Sequence, residues 1–463
     1  MLKVEKSPSL TLSNLDKQNA VEELVKPLIL SDETIKRIRD AFESEMAIGL
    51  SLDPAKKSSL QMENTFVTEL LDGTENGEFL ALDLGGTNFR VLFIELKSGK
   101  LEKELVQYYA VPENVRIGEG AALFDFLADC IHNFMTIHNM MQKSLPLGFC
   151  FSFPVTQNAL DSGTLVTWTK SFNCPDAVGK DAVQMLNDAI RRKGDMEVDV
   201  VAIVNDTTGT LVKGTLVDRN CAIGMVLATG SNACYLERVD RIGKWIGDRP
   251  GVEEVVVDTE WGAFGDNGVL DFVKTEYDRA VNEHSLLVNS FTFEKLLSGK
   301  FLGEVVRQVM LKLIKERLLF NGRLTEELEQ LNSFTTTDVS HIEGENGDSE
   351  VCTIFRERFG YDEISNDDIS IIKYVCAIAS LRGACLVSIC LSSLIERMDK
   401  PKVTIAVDGS LYKYHPRYGP SMVEFITKMA PGKKFEFILV EDGSGKGAGL
   451  VAAVAMRVRQ INL

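Results

Sequence analysis

From Phe79 to Phe93 the chain reads Phe-Leu-Ala-Leu-Asp-Leu-Gly-Gly-Thr-Asn-Phe-Arg-Val-Leu-Phe, with a carboxylate, paired glycines, a hydroxyl and an amide at its centre. Glycines let backbone N–H groups come close to an anion, and successive N–H groups form an anion-binding concavity. Asp83, ending an apolar run, can hold the water shell of a metal ion beside bound phosphates. The runs Leu80–Leu84 and Arg90–Ile94 both predict strands, so the segment reads strand, tight turn, strand. That is the form of a nucleotide phosphate hairpin, with Gly85, Gly86, Thr87 and Asn88 in its turn.

Similar chemistry returns along the chain. Ala228-Thr229-Gly230-Ser231-Asn232 is a second small polar turn between apolar runs, suited to the other side of the same phosphates. Asp408-Gly409-Ser410 ends an apolar strand, and Gly443-Ser444-Gly445 opens the last helix, where a nucleoside or its phosphates can sit at a helix N-terminus. The Gly445-Lys446 pair lacks the spacing of a P-loop. Asn205-Asp206-Thr207 follows a strand, which is where α/β sheets keep their chemistry; in isolation the same residues read as a helix cap. Ser152, Thr169, Lys170, Glu260 and Glu294 are polar residues in apolar surroundings. Carboxylates and amides beside apolar faces are what the vicinal hydroxyls of a sugar require.

These groups need a scaffold. Strands are predicted at 78–84, 89–95, 104–111, 147–153 and 199–205, with helices at 121–138 and 180–193. A second block follows the same plan, with strands at 221–227 and 233–239 around the turn at 228–232. Helices are then expected near 266–282, 301–318 and 367–397, a strand at 403–408, a helix near 420–430, a strand at 435–440 and a last helix at 445–459. Residues 15–50 show helical spacing, 51–77 read as a connector, 340–350 as a polar surface loop, and 1–14 as a flexible arm. The glycines at 73–77 and 443–447 read as hinges or as ordinary turns. Two similar halves imply internal duplication and a cleft between two lobes.

The chain has 463 residues, 45% hydrophobic and 25% charged, enough for a sizeable core. A net charge of -17 argues against a nucleic-acid footprint and against a polybasic membrane anchor. Nine scattered cysteines without a C-x-x-C, and five histidines without metal spacing, predict buried reduced thiols in a cytoplasmic protein. No signal peptide is apparent, and no apolar run of about 18 residues predicts a membrane span.

Together these segments resemble the hexokinase family, within the actin-like sugar-kinase superfamily. Leu80–Leu92 resembles its first phosphate motif, and Leu147–Val155 through Trp168-Thr169-Lys170 its sugar-binding signature. Asn205-Asp206-Thr207 matches the segment that carries the base, and Thr259–Gly265 with Glu294 match further sugar contacts. Asp408–Lys413 and Glu441–Gly447 resemble the adenosine motif and the last glycine-rich turn. The likeness covers roughly 65–460, in family order. The pattern departs at Ala228, at Ala406 and over Val288–Phe291, which touches nucleotide affinity and sugar selectivity.

The resemblance implies an α/β, two-lobed actin-like ATPase (ribonuclease H-like) fold with a duplicated sheet core. Residues 65–205 plus 446–463 would form the small lobe, and 15–64 plus 206–445 the large one. It implies ATP-dependent phosphorylation of a hexose 6-hydroxyl, glucose first, with Mg2+ arriving with ATP and touched by Asp83 through water. Asp206 would be the base and Lys170 would neutralise charge. Ser152, Thr169, Lys170, Asn205, Asp206, Asn232, Glu260 and Glu294 would hold the sugar. Asp83, Gly85, Gly86, Thr87, Asn88 and Arg90, with Thr229 to Ser231, Asp408 to Ser410 and Gly443 to Gly445, would hold ATP. A single-unit monomer or weak homo-oligomer without a membrane anchor is expected. The competing readings are a catalytically weak sugar sensor on the same fold, which should have lost the base or phosphate residues, and a sugar-binding transcriptional regulator, which needs an added basic DNA-binding segment.

Overall fold

The computed structural model describes residues 8–53, 55–85, 88–169, 171–247 and 251–461, apart from the side chains of Asn88, Gln460 and Ile461. Strands Gly77–Leu84 and Asn88–Lys97 pair antiparallel and set Asp83 directly opposite Arg90. Lys100–Ala110 extends the hairpin on its outer edge. Ser144–Phe151 and Glu197–Val204 add in parallel on the other side.

The second sheet repeats this plan. Cys221–Leu227 and Ser231–Arg238 form the antiparallel hairpin, and Glu254–Asp258 extends it. Val403–Asp408 and Phe435–Leu439 add in parallel. Relative strand order and strand sense are the same in both sheets, which is the duplication anticipated from the recurring turn. A short strand, Glu63–Asn64, borders Glu254–Asp258. In each sheet the parallel strands end on one side, so the polar residues that follow them collect there.

Helices Gly120–Ile137 and Ala182–Lys193 cover one face of the first sheet through Leu123, Leu127, Ile131, Leu186 and Ile190. The C-terminal helix Gly443–Ile461 covers the other face. It lies so close that a Cβ on Gly148 would fall 1.9 Å from the Ala448 carbonyl oxygen. Helix Asp206–Val217 lies equally close to the second sheet, where a Cβ on Gly224 would sit 2.3 Å from the Thr207 carbonyl oxygen. The two helices touch each other backbone to backbone. A Cβ on Gly447 would come within 2.2 Å of the Gly209 carbonyl oxygen, and one on Gly209 within 3.0 Å of the Gly443 oxygen. The glycines at 443–447 therefore form a close helix crossing rather than a loose connector.

Several expectations change. Residues 8–14 are packed, not a free arm: Leu10 is in the core, and Ser13 donates from N and Oγ to Asp367 at 3.0 and 2.8 Å. Residues 15–50 form two helices, Leu15–Val25 and Asp32–Gly49, because Pro27 interrupts the first and Ser31 caps the second. The helix expected over 266–282 is confined to Glu276–Glu283 by the Thr275–Asp278 capping box.

Residues 340–350 are not a loop but span parts of helices Thr336–Ile342 and Gly347–Glu357. Val339, Ile342, Val351 and Ile354 are buried there at helical spacing. Strand Glu254–Asp258 and the hairpin Val155–Ala159 with Ser162–Leu165 were not anticipated. Helix Asn366–Met398 is long and apolar enough to cross a membrane by length and composition, contrary to the sequence reading, yet its most apolar window is fully buried in the fold.

Candidate active site

Asp206 is the first residue of its helix, and Asn205 is the cap. The Asn205 side chain accepts a hydrogen bond from Thr207 N at 3.0 Å. The macrodipole favours a negative charge at this end of the helix. Because Asn205 both caps and faces the cleft, its amide can also donate to Glu260 Oε1 at 3.2 Å. Asn232, on the second-sheet hairpin, donates to the same Oε1 at 3.2 Å and to Asp258 Oδ1 at 2.8 Å. Glu260 holds a left-handed backbone, φ 50° and ψ 45°, an uncommon state for a side chain of this kind. The next residue, Trp261, is fully buried and donates from its indole to Ser231 Oγ at 3.0 Å, tying the strained turn to the hairpin.

Glu294 enters from the short helix Thr292–Leu297, where Asp266 accepts from Phe291 N and Thr292 N at 3.0 and 2.8 Å. Glu294 Oε2 in turn accepts from Ser231 N at 3.1 Å. Ser152 follows strand Ser144–Phe151 and donates its backbone N–H to the Leu84 carbonyl at 3.2 Å. Thr169 is carried by a loop anchored in an aromatic cluster, with Trp168 4.9 Å from Phe153 and donating to the Cys174 carbonyl at 2.7 Å.

One cavity of about 720 Å³ is lined by Gly85, Ser152, Thr169, Asn205, Asp206, Thr229, Gly230, Ser231, Asn232, Glu260 and Glu294. Ser171, Phe291, Lys295 and Lys300 also line it and were not assigned to the site from the sequence. The cavity joins the ends of both sheets. Gly86, Thr87 and Lys170 lie outside the described residues, as does the Asn88 side chain.

The remaining expected nucleotide residues form an adjoining cluster. Arg90 Nε donates to Asp83 Oδ2 at 3.1 Å, and its guanidinium also pairs with Asp442 and reaches Ser444 Oγ at 3.2 Å. Ser444 Oγ donates to Asp83 Oδ2 at 2.8 Å. Burial opposes the Arg90 charge, but Asp83 and Asp442 more than offset it and raise its pKa. Asp408 Oδ2 accepts from Gly443 N at 2.7 Å, and burial raises the Asp408 pKa.

A Cβ on Gly409, at φ 130°, would fall 2.3 Å from the Leu227 carbonyl oxygen, so only glycine fits there. Gly445 packs beside Arg90, and Ser410 opens the short exposed turn of helix that follows. Lysines ring this end. Lys213 donates to the Glu441 carbonyl, Lys413 pairs with Glu441, and Lys446 pairs with Glu104 at 2.9 Å. Burial, with Lys446 nearby, lowers the Lys213 pKa.

The departures from pattern are accommodated locally. Ala228 still closes its turn, donating to the Gly230 carbonyl at 2.9 Å and accepting from Gly299 N at 2.8 Å. The Ala406 methyl faces Gly214, whose missing side chain leaves room for it. Asp442 was read only as part of the last glycine-rich turn, and Asp258 was overlooked, although Val255-Val-Val-Asp258 carries the same signal as the other strand-end aspartates.

Two models of the hexokinase family match the chain, over residues 20–216 and 222–454. Human hexokinase-2 is 41% identical over 96% of the chain and 49% of its own length, and human hexokinase-1 is 40% identical with the same coverage. The chain thus spans about half the length of these curated relatives. A Schistosoma mansoni hexokinase solved with glucose is 35% identical, with a TM-score of 0.85 over 96% of this chain and 100% of that one. Another hexokinase crystal structure is 28% identical, with a TM-score of 0.82 over 95% and 100%.

Proposed function

The chain belongs to the hexokinase family, and on that premise we propose that it transfers the γ-phosphoryl group of ATP to the 6-hydroxyl of a hexose, glucose first. The observation that carries this reading is the shared cavity. Asp206, at a helix N-terminus, faces amides and carboxylates suited to sugar hydroxyls on one side and glycine turns suited to phosphates on the other.

Phosphoryl transfer depends on positioning and charge neutralisation. Asn205, Asn232, Glu260 and Glu294 orient the hydroxyls, and Ser152 and Thr169 close the sugar side. Asp206 accepts the proton of the attacking hydroxyl. Lys170 is assigned charge neutralisation on the sequence alone.

The nucleotide end fits ATP. Gly409 has no room for a Cβ against the Leu227 backbone, and a Cβ on Gly230 would come 2.7 Å from Glu294 Oε2 and displace that carboxylate. Asp408, Ser410 and Gly443 to Gly445 border the nucleoside side, and Lys213, Lys413 and Lys446 supply positive charge. Among the described residues no group of three His, Cys, Asp or Glu side chains could hold a metal ion. Mg2+ is assigned to the phosphate oxygens and water, with Asp83 reaching it through water. When bound, the ion neutralises phosphate charge.

We further propose that the chain acts in the cytoplasm, a reading supported by nine unpaired thiols. Its two lobes, 65–205 plus 446–463 and 15–64 plus 206–445, would close on the sugar to exclude water.

The test is ATP-dependent phosphorylation of glucose, mannose and fructose by purified protein and by Asp206→Ala. Turnover should fall roughly 10²–10⁴-fold in the variant while glucose still binds. Glucose binding without turnover in the unmodified chain would instead favour the sensor.

A further inference from the structure

Asp258 takes no part in the reaction proposed above, yet it lies beneath the residues that face the sugar and is 4% exposed. Its Oδ1 accepts from Asn232 Nδ2 at 2.8 Å and from Glu260 N at 3.4 Å, and the same Asn232 Nδ2 donates to Glu260 Oε1 at 3.2 Å, so one amide nitrogen joins the two carboxyls. Two carboxyl groups held this close in a buried site favour keeping one proton between them over ionising both. We propose that Asp258 is a positioning residue that shares one proton with Glu260, holding Glu260 and Asn232 in place for a hexose, so that hexose affinity falls as that proton is lost to water. This rests on reading the cavity as a hexose site.

The surroundings favour the shared proton. Glu63, on the bordering strand, stands opposite Asp258 in register, and so does the Cys234 thiol on the other side. The Asp206 charge acts on Asp258 from the helix, and among the described residues the Lys244 charge acts on Glu63. No ion pair to Asp258 is formed among the described residues. Burial pushes the Asp258 pKa up to about 6, hydrogen bonds from Glu260 and Asn232 restrain the rise, and Asp206 adds to it. With both carboxyls ionised, Glu260 keeps the Asn205 and Asn232 amide donors but loses the shared proton and is repelled from its strained position.

An Asp258→Asn side chain copies the protonated acid: its oxygen accepts from Asn232 and its amide donates to Glu260 at every pH. The experiment is glucose binding by tryptophan fluorescence, with KM and kcat, from pH 5.5 to 8.5. The glucose Kd of the unmodified protein should climb about tenfold as pH rises through the Asp258 pKa, and that of Asp258→Asn should stay flat. Titration calorimetry of the unmodified protein at pH 7, in buffers of different ionisation enthalpy, should show proton uptake on glucose binding. It serves also if the variant does not fold. Parallel pH profiles in the two proteins, or glucose binding without proton uptake, would overturn the proposal. No glucose binding at any pH would overturn the hexose reading first, and this one with it.

Discussion

Asp83 closes a strand of the first sheet and Asp258 a strand of the second, and the two sheets share one strand order. Asp83 faces Arg90 across its hairpin, and the guanidinium with Ser444 Oγ holds its Oδ2. Asp258 faces Cys234 and Glu63 instead, among amides and a second carboxyl. One duplicated scaffold thus supports two electrostatic solutions. Where phosphates are expected, the carboxylate is neutralised by a fixed cation. Where hydroxyls are expected, it is neutralised by a proton. Backbone topology places both aspartates, and the residues paired with them on neighbouring strands decide their chemistry.

The comparison breaks most completely where the halves touch. Gly447→Val would force side-chain atoms into the Gly209 backbone, which a Cβ would approach to 2.2 Å. The expected loss is more than about 3 kcal/mol, read as insoluble protein or a collapsed urea midpoint. A midpoint within error of the original would show that the crossing can open.

Arg90→Ala removes the cation from Asp83 while leaving the second sheet intact. The pair is largely buried, with side chains 17% and 11% exposed, so a loss of about 3 kcal/mol is expected, with a raised ATP KM and little change in glucose binding. Equal damage to both ligands would blur the distinction between the ends.

Asp258→Asn sharpens it from the other side. The folded pKa of Asp258, about 6, lies above the ordinary value of 3.8. Its contribution to stability is therefore complete below pH 4 and is lost as pH rises through 6. The variant should match the unmodified protein near pH 4.5 and be more stable at pH 8, by about 2 kcal/mol. Thermal melts at the two pH values check the sign; a variant less stable at pH 8 would contradict it. The smallest effect is expected at the cavity rim. Leu286 is 87% exposed, so Leu286→Ser should change stability by less than about 0.5 kcal/mol, and any consequence should appear in the hexose KM alone.

The first strand pair, the recurring turn and the order of the motifs were legible because each is local. Glycines and strand-end aspartates announce themselves within a few residues. The break at Pro27 and the helices over 336–357 were missed for another reason: short amphipathic stretches with many polar residues look like loops until a core is there to bury Val339 and Val351.

By itself, the sequence determined which residues could do chemistry and that the chain is built twice: periodicity and turn chemistry act over neighbours along the backbone. Only the tertiary structure decided which of those residues meet. Ser444 reaches Asp83 across a sequence separation of 361 residues, and Asn232 meets Glu260 and Asp258 because adjacent strands align them. The state of each carboxyl depends on desolvation and on the neighbour across the sheet, and neither exists before the chain folds.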